Sequence, residues 1–202
     1  DFQIWRHVVG TPQAEDVLVF QEDDEEFSCY VFKTKSEAYI IIGSSQTLIK
    51  EYRYIKANEP LSEFKVFLER QDDHEYGIDH YGDHFFITTN WEAKNFRLMK
   101  CPLEDTRQSQ WQEVLPHREE VLLEGVEIFR DYMVVDERIN GLTCLRIMRW
   151  DNTVDYYLPF ADAAYAAGVG ANPDFNTEIL RYGYSSMVTP ASTFDFNMRT
   201  QE

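Results

Sequence analysis

YMVVDER (132–138), a short polar turn, and then TCLRIMRW (143–150): this stretch decides the fold. Both halves are rich in β-branched and aromatic residues and the second alternates, so they read as two strands of a hairpin. The first strand has three counterparts, YIIIGSS (39–45), HFFITTN (84–90) and ILRYGYSS (179–186); their starts lie 45, 48 and 47 residues apart. The second strand recurs in phase as KEYRYIKA (50–57), FRLMKCPL (96–103) and STFDFNMR (192–199). A third set follows at FKVFLER (64–70), QEVLPH (112–117) and VDYYLPF (154–160). A fourth precedes each hairpin, at FSCYVFKT (27–34), EYGIDHYG (75–82), EGVEIFR (124–130) and AYAAGVGA (164–171).

Four short strands repeating every 45 to 50 residues mark the blades of a β-propeller, because such a blade buries its faces only against its neighbours. The predicted class is all-β, about four blades of four-stranded antiparallel sheet cut from a larger ring. Residues 1–23 read as the end of one blade, 24–71, 72–118 and 119–161 as whole blades, and 162–202 as an incomplete last one. An immunoglobulin-like sandwich explains the repeat less well and lacks the Cys…Trp…Cys spacing. AYAAGVGA has the alanines of a helix, but its phase places it as an innermost strand, where small residues suit the crowded axis. IWRHVVG (4–10) and DVLVFQE (16–22), joined by a turn at Thr11-Pro12-Gln13, read as the last strands of an earlier blade.

Composition narrows the function. The 202 residues carry 19 Lys+Arg and 36 Asp+Glu, a net charge of 19 − 36 = −17, with 44% apolar and 15% aromatic side chains. So much apolar surface excludes disorder. The longest aliphatic stretch, YIIIG at 39–43, is far below the roughly 20 residues of a membrane span. A strongly acidic body repels nucleic acid. Cys29, Cys101 and Cys144 are odd in number and form no CxxC, so they are expected to pack as small apolar side chains, and their use points to the cytoplasm with the periplasm as alternative.

Candidate chemistry is sparse. Gly183-Tyr184-Ser185-Ser186-Met187 lacks the final small residue of a G-x-S-x-G nucleophile elbow and leaves its strand for a turn, not a helix. His74, His80 and His84 lie at even separations and so could share a strand face, but no HExxH-type spacing accompanies them, and a polar strand lining a channel is the better reading. No metal or other cofactor is expected. Gly168-Val169-Gly170 runs into Ala-Asn-Pro and gives no phosphate loop. The acidic runs 22–26 and 119–120 read as solvated loops, or as part of an anionic body that concentrates basic peptides.

Several segments together carry a family resemblance: IWRHVVGTP, DDHEYGIDHYGDHFFITTN with KNFRL, LLEGVEIFRDYMVVDERINGLTCL, and LRYGYSSMVTPASTFDFNM. They resemble the propeller domain of the oligopeptidase B (protease II) branch of the prolyl oligopeptidase family of serine peptidases. The resemblance implies a seven-bladed propeller over an α/β-hydrolase domain, with short basic peptides as substrates cleaved after Arg or Lys. The catalytic Ser, Asp and His belong to the C-terminal hydrolase domain, so no catalytic residue is assigned and these residues alone should be inactive. The 2–3 loops, at 43–48, 90–95, 137–142 and 185–192, share the face that looks toward the hydrolase domain in this family. Asn90, Arg138, Tyr184 and Ser185 are therefore the candidates for interdomain or substrate contact. The alternative is a stand-alone propeller that binds other proteins without catalysis. Exposed blade faces are further expected to promote self-association, unless DVLVFQE supplies the missing outer strand of the last blade.

Overall fold

A computed structural model describes residues 2–202, which are all β apart from two single turns of 3-10 helix, Gln13–Glu15 and Gln108–Gln110. Seventeen strands among the described residues form five sheets, each an antiparallel meander in chain order. The first is a pair, β1 (Gln3–Arg6) and β2 (Val17–Gln21). The second holds β3 (Ser28–Lys33), β4 (Tyr39–Ser45), β5 (Lys50–Lys56) and β6 (Lys65–Leu68). The third holds β7 (Tyr76–Tyr81), β8 (His84–Thr89), β9 (Arg97–Pro102) and β10 (Gln112–Leu115). The fourth holds β11 (Val121–Ile128), β12 (Tyr132–Ile139), β13 (Leu142–Arg149) and β14 (Asp155–Tyr157). The fifth has three strands, β15 (Tyr165–Val169), β16 (Ile179–Ser186) and β17 (Ser192–Asn197).

Side chains alternate across a strand, so the second strand of each blade serves two interfaces at once. On β8, Phe85 and Ile87 join Tyr39, Ile41 and Tyr52 of the second sheet, while Phe86 joins Leu123, Ile128 and Met133 of the fourth. β12 does the same one blade later, with Met133 and Val135 turned toward the third sheet and Tyr132 and Val134 toward Leu180 and Met198 of the fifth. Burial on both faces is why these strands read as unbroken apolar runs. Phe85 is fully buried, and its truncation to Ala should cost about 3–5 kcal/mol. Cys101 lies in the same cluster as Phe85, packing as an apolar side chain as its sequence context implied.

AYAAGVGA does contain a strand, β15, paired with β16 from Tyr165↔Ser186 to Val169↔Tyr182. A tight turn joins the second and third strands of the fourth sheet. At Asn140-Gly141 both residues have positive φ, 51° and 82°, as a two-residue turn matched to the strand twist requires.

Three expectations need correction. β2 pairs with β1, in register from Gln3↔Gln21 to Arg6↔Val17, and does not complete the fifth sheet, whose order is β15-β16-β17. The link between β1 and β2 is a longer excursion, 7–16, containing one turn of 3-10 helix, because Pro12 fixes an extended start ahead of it. The tight Asn140-Gly141 turn also shortens the 2–3 loop expected over 137–142, because β12 runs on to Ile139; Arg138 and Ser185 stand in the strands read over 132–138 and 179–186, not in loops.

The outward face of the fifth sheet is not apolar either. Leu180, Tyr182, Phe196 and Met198 turn inward, which leaves small and polar residues such as Gly183, Ser185 and Thr193 on the opposite face with an Arg181–Asp195 pair at 2.7 Å. Exposed apolar side chains gather instead around the first sheet, at Trp5, Val8, Val9, Val17 and Leu18.

Candidate functional site

Each blade has two ends. At the hairpin end lie the turns that join strands 1 to 2 and 3 to 4. At the connection end lie the 2–3 loops and the segments entering from the previous blade. At the connection end, Ser44, Thr89, Glu137 and Tyr184 occupy the same place on the second strand of four successive blades, 45, 48 and 47 residues apart. Each holds a residue of the incoming connection, by a different chemistry.

Ser44 Oγ donates to Glu22, whose Oε2 also accepts from Arg70 Nη2 at 2.7 Å. Burial pushes the Glu22 carboxyl up, but the bonds from Arg70, Ser44 and the Asp24 amide outweigh it and hold the group below its ordinary range. Arg70 also donates its backbone N–H to buried Glu51 (3.1 Å) and lies over the Phe27 ring at 3.8 Å. Thr89 Oγ1 meets His74 Nε2 at 2.8 Å, and the imidazole stacks on Tyr76. Burial lowers the pKa of His74 and of His80, which favours neutral rings. Fully buried Glu137 pairs with Arg118 and accepts the Tyr157 hydroxyl at 2.8 Å. Tyr184 donates to Asp162 at 2.7 Å and stacks on Phe160 and Tyr165.

The four residues singled out from sequence sit beside these clasps or within them, one end of the fold but three different blades. Asn90 follows Thr89 and is spent locally, accepting the Glu75 N–H (3.0 Å) and donating to the Asp73 carbonyl (3.0 Å). Arg138 follows Glu137 and forks onto Glu124, with Nε–Oε1 at 2.8 Å and Nη2–Oε2 at 3.2 Å. Ser185 follows Tyr184, pairs with Ala166 across the sheet and lines a shallow trough with Gly168, Gly183 and Thr193. Sequence reading missed Glu22, Glu51, Arg118 and Glu137. Of these, Glu137 carried a signal, the phase it shares with 44, 89 and 184 as a polar position recurring inside apolar strands.

The three histidines do not converge. His80 Nδ1 meets Ser36 Oγ at 2.7 Å, His74 is held by Thr89, and no group of three or more His, Cys, Asp or Glu is arranged to hold a metal among the described residues. No helix there is long and apolar enough to cross a membrane. A cleft of about 720 Å³ runs along the inner strands, lined by 32–35, 77–79, 126–128 and 170–173. Within it, burial raises Asp79 to about 6.

The sequence profile described as "Prolyl oligopeptidase, N-terminal beta-propeller domain" matches residues 1–202. The chain belongs to the prolyl oligopeptidase family. It is similar to the N-terminal propellers of longer members: 38% identical over 197 residues to a dipeptidyl aminopeptidase BI of Pseudoxanthomonas mexicana, covering 97% of this chain and 27% of that protein. It is 32% identical over 200 residues to a Protease 2 of Moraxella lacunata, covering 99% of this chain and 28% of the relative. In fold it matches oligopeptidase B of Trypanosoma brucei, in a closed form with covalently bound antipain, at a TM-score of 0.91 and 24% identity over all of this chain and 30% of the other. The prolyl oligopeptidase propeller thus accounts for every sheet described above, and the chain spans under a third of the length of these relatives.

Proposed function

We propose that this chain is the substrate-gating, hydrolase-docking part of the propeller in a serine oligopeptidase that cleaves short peptides after Arg or Lys. The observation that carries the reading is the match along the whole chain to a Protease 2 together with the oligopeptidase B fold. A net charge of −17 supports it, since an anionic body raises the local concentration of cationic peptides. Catalysis itself is the task of a C-terminal hydrolase domain. The blades are taken as 24–71, 72–118 and 119–161, flanked by partial ones, and the connection end as the face toward that domain. There Asn90, Arg138, Tyr184 and Ser185 are proposed to make interdomain or substrate contacts. The cytoplasm is the proposed compartment.

The greater identity to a dipeptidyl aminopeptidase favours a second reading, in which the enzyme removes dipeptides from a free N-terminus. The two separate on one comparison in the full-length enzyme, a basic peptide amide with its N-terminus free or acylated. An oligopeptidase B-type enzyme turns over the acylated form at least as well as the free one. Loss of activity on acylation supports the aminopeptidase, and absence of any peptidase activity in the full-length protein supports a binding scaffold instead.

A further inference from the structure

At the hairpin end the inner turns reach past the adjacent blade. The turn between β3 and β4, in the second sheet, places the Lys35 ammonium against Glu127 of β11, two sheets away, and 3.6 Å from the centre of the Phe129 ring. On the way it crosses the third sheet, where the Lys35 N–H donates to Asp79 (3.3 Å) and Ser36 meets His80. The lysine side chain is only 9% exposed, although it belongs to a turn. The next inner turn does something similar: Tyr81 stacks on Trp150 of the fourth sheet at 4.1 Å and touches Phe175, in the link between β15 and β16, at 6.3 Å.

We propose that Lys35 and Glu127 form a strut across the axial cleft that narrows its hairpin end and keeps long peptides from threading through it. The position is specific, because both residues line the cleft and the pair joins sheets that are not neighbours along the chain. Lysine suits the role: its ammonium sits over the face of Phe129 while it carries the ion pair, so the cation is held by a ring and a carboxylate together. A half-buried pair with little solvent screening resists opening more than an exposed one. The inference rests on the peptidase reading and concerns only the size of peptide admitted.

The test uses the full-length enzyme with two substrates, an N-blocked arginyl amide and an unfolded basic polypeptide of about 30 residues, in wild type, Lys35→Met and the exchanged pair Lys35→Glu/Glu127→Lys. The strut predicts that Lys35→Met raises the ratio of long- to short-substrate kcat/KM several-fold, leaves the short substrate within about twofold, and that the exchanged pair restores the wild-type ratio. An unchanged ratio in Lys35→Met overturns the proposal. So does an equal loss on both substrates, since a strut acts on passage, and so does a raised ratio that the exchanged pair fails to restore. Wild-type enzyme inactive on the N-blocked arginyl amide would instead contradict the oligopeptidase B-type reading. The strut would then be judged by amide exchange of β11, which Lys35→Met must accelerate and the exchanged pair must return.

Discussion

Arg118, in the connection between the third and fourth sheets, lays its guanidinium on the carboxylate of Glu137, which is fully buried near the end of β12. Tyr157 donates to the other carboxylate oxygen at 2.8 Å, and Arg146 stands 3.9 Å away. The arrangement fixes where the chain enters the fourth blade. Removing Glu137 strips Arg118 and the Tyr157 hydroxyl of their shared acceptor, so Glu137→Ala should lower stability by about 3 kcal/mol. Arg118→Met should cost at least as much, because it leaves a fully buried carboxylate with the Tyr157 hydroxyl as its remaining side-chain donor while Arg146 is engaged by Asp155. Urea unfolding of both variants checks the order.

Asp79 and Glu22 predict opposite responses to pH. Burial raises Asp79 from 3.8 to about 6, so the folded state binds this proton more tightly than the unfolded chain. Its contribution is full below about pH 4 and is lost as pH rises through about 6. Asp79→Asn keeps an acceptor for the His80 and Lys35 N–H groups. It should stabilise the protein by ~1–2 kcal/mol at pH 7.5, with the advantage gone near pH 4. Thermal unfolding across that range measures it.

Glu22 is held below its ordinary 4.5 despite burial, so its contribution is present above about pH 4.5 and disappears as pH falls through its lower folded value. Arg70→Met removes the main cation and should cost about 3 kcal/mol at pH 7. The difference from wild type should shrink on acidification toward pH 3. A constant difference would show that Arg70 acts through its packing on Phe27.

The propeller was legible because a two-faced apolar strand followed by an alternating one, repeated at near-constant spacing, has few other architectures to satisfy. The inner strand β15 was legible by phase even though its alanines suit a helix. The clasps were harder to read. Ser44, Thr89, Glu137 and Tyr184 share a place but no chemistry, and their partners Glu22, His74, Arg118 and Asp162 lie at varying separations along the chain. Only the folded blade shows that each pair solves one problem, tying a connection to its strand. The strut between Lys35 and Glu127 spans 92 residues and two blades, which no local pattern encodes.

Self-association of this chain should proceed through the first sheet and not the fifth. Trp5 is 53% and Val9 94% exposed, whereas the outward face of the fifth sheet carries glycines, hydroxyls and the Arg181–Asp195 pair. Trp5→Ser with Val9→Ser should shift the chain toward monomer in sedimentation velocity. Arg181→Ala should leave the distribution unchanged.

The proposed selectivity of the parent peptidase for basic residues is tested most directly by substrate discrimination in the full-length enzyme. The ratio of kcat/KM for an N-blocked arginyl amide to that for its norleucyl counterpart should be at least about a hundredfold, because a site built to pair a cation is left unsatisfied by the neutral analogue. It should also fall as salt screens the anionic body. A ratio near one, insensitive to salt, would contradict the account.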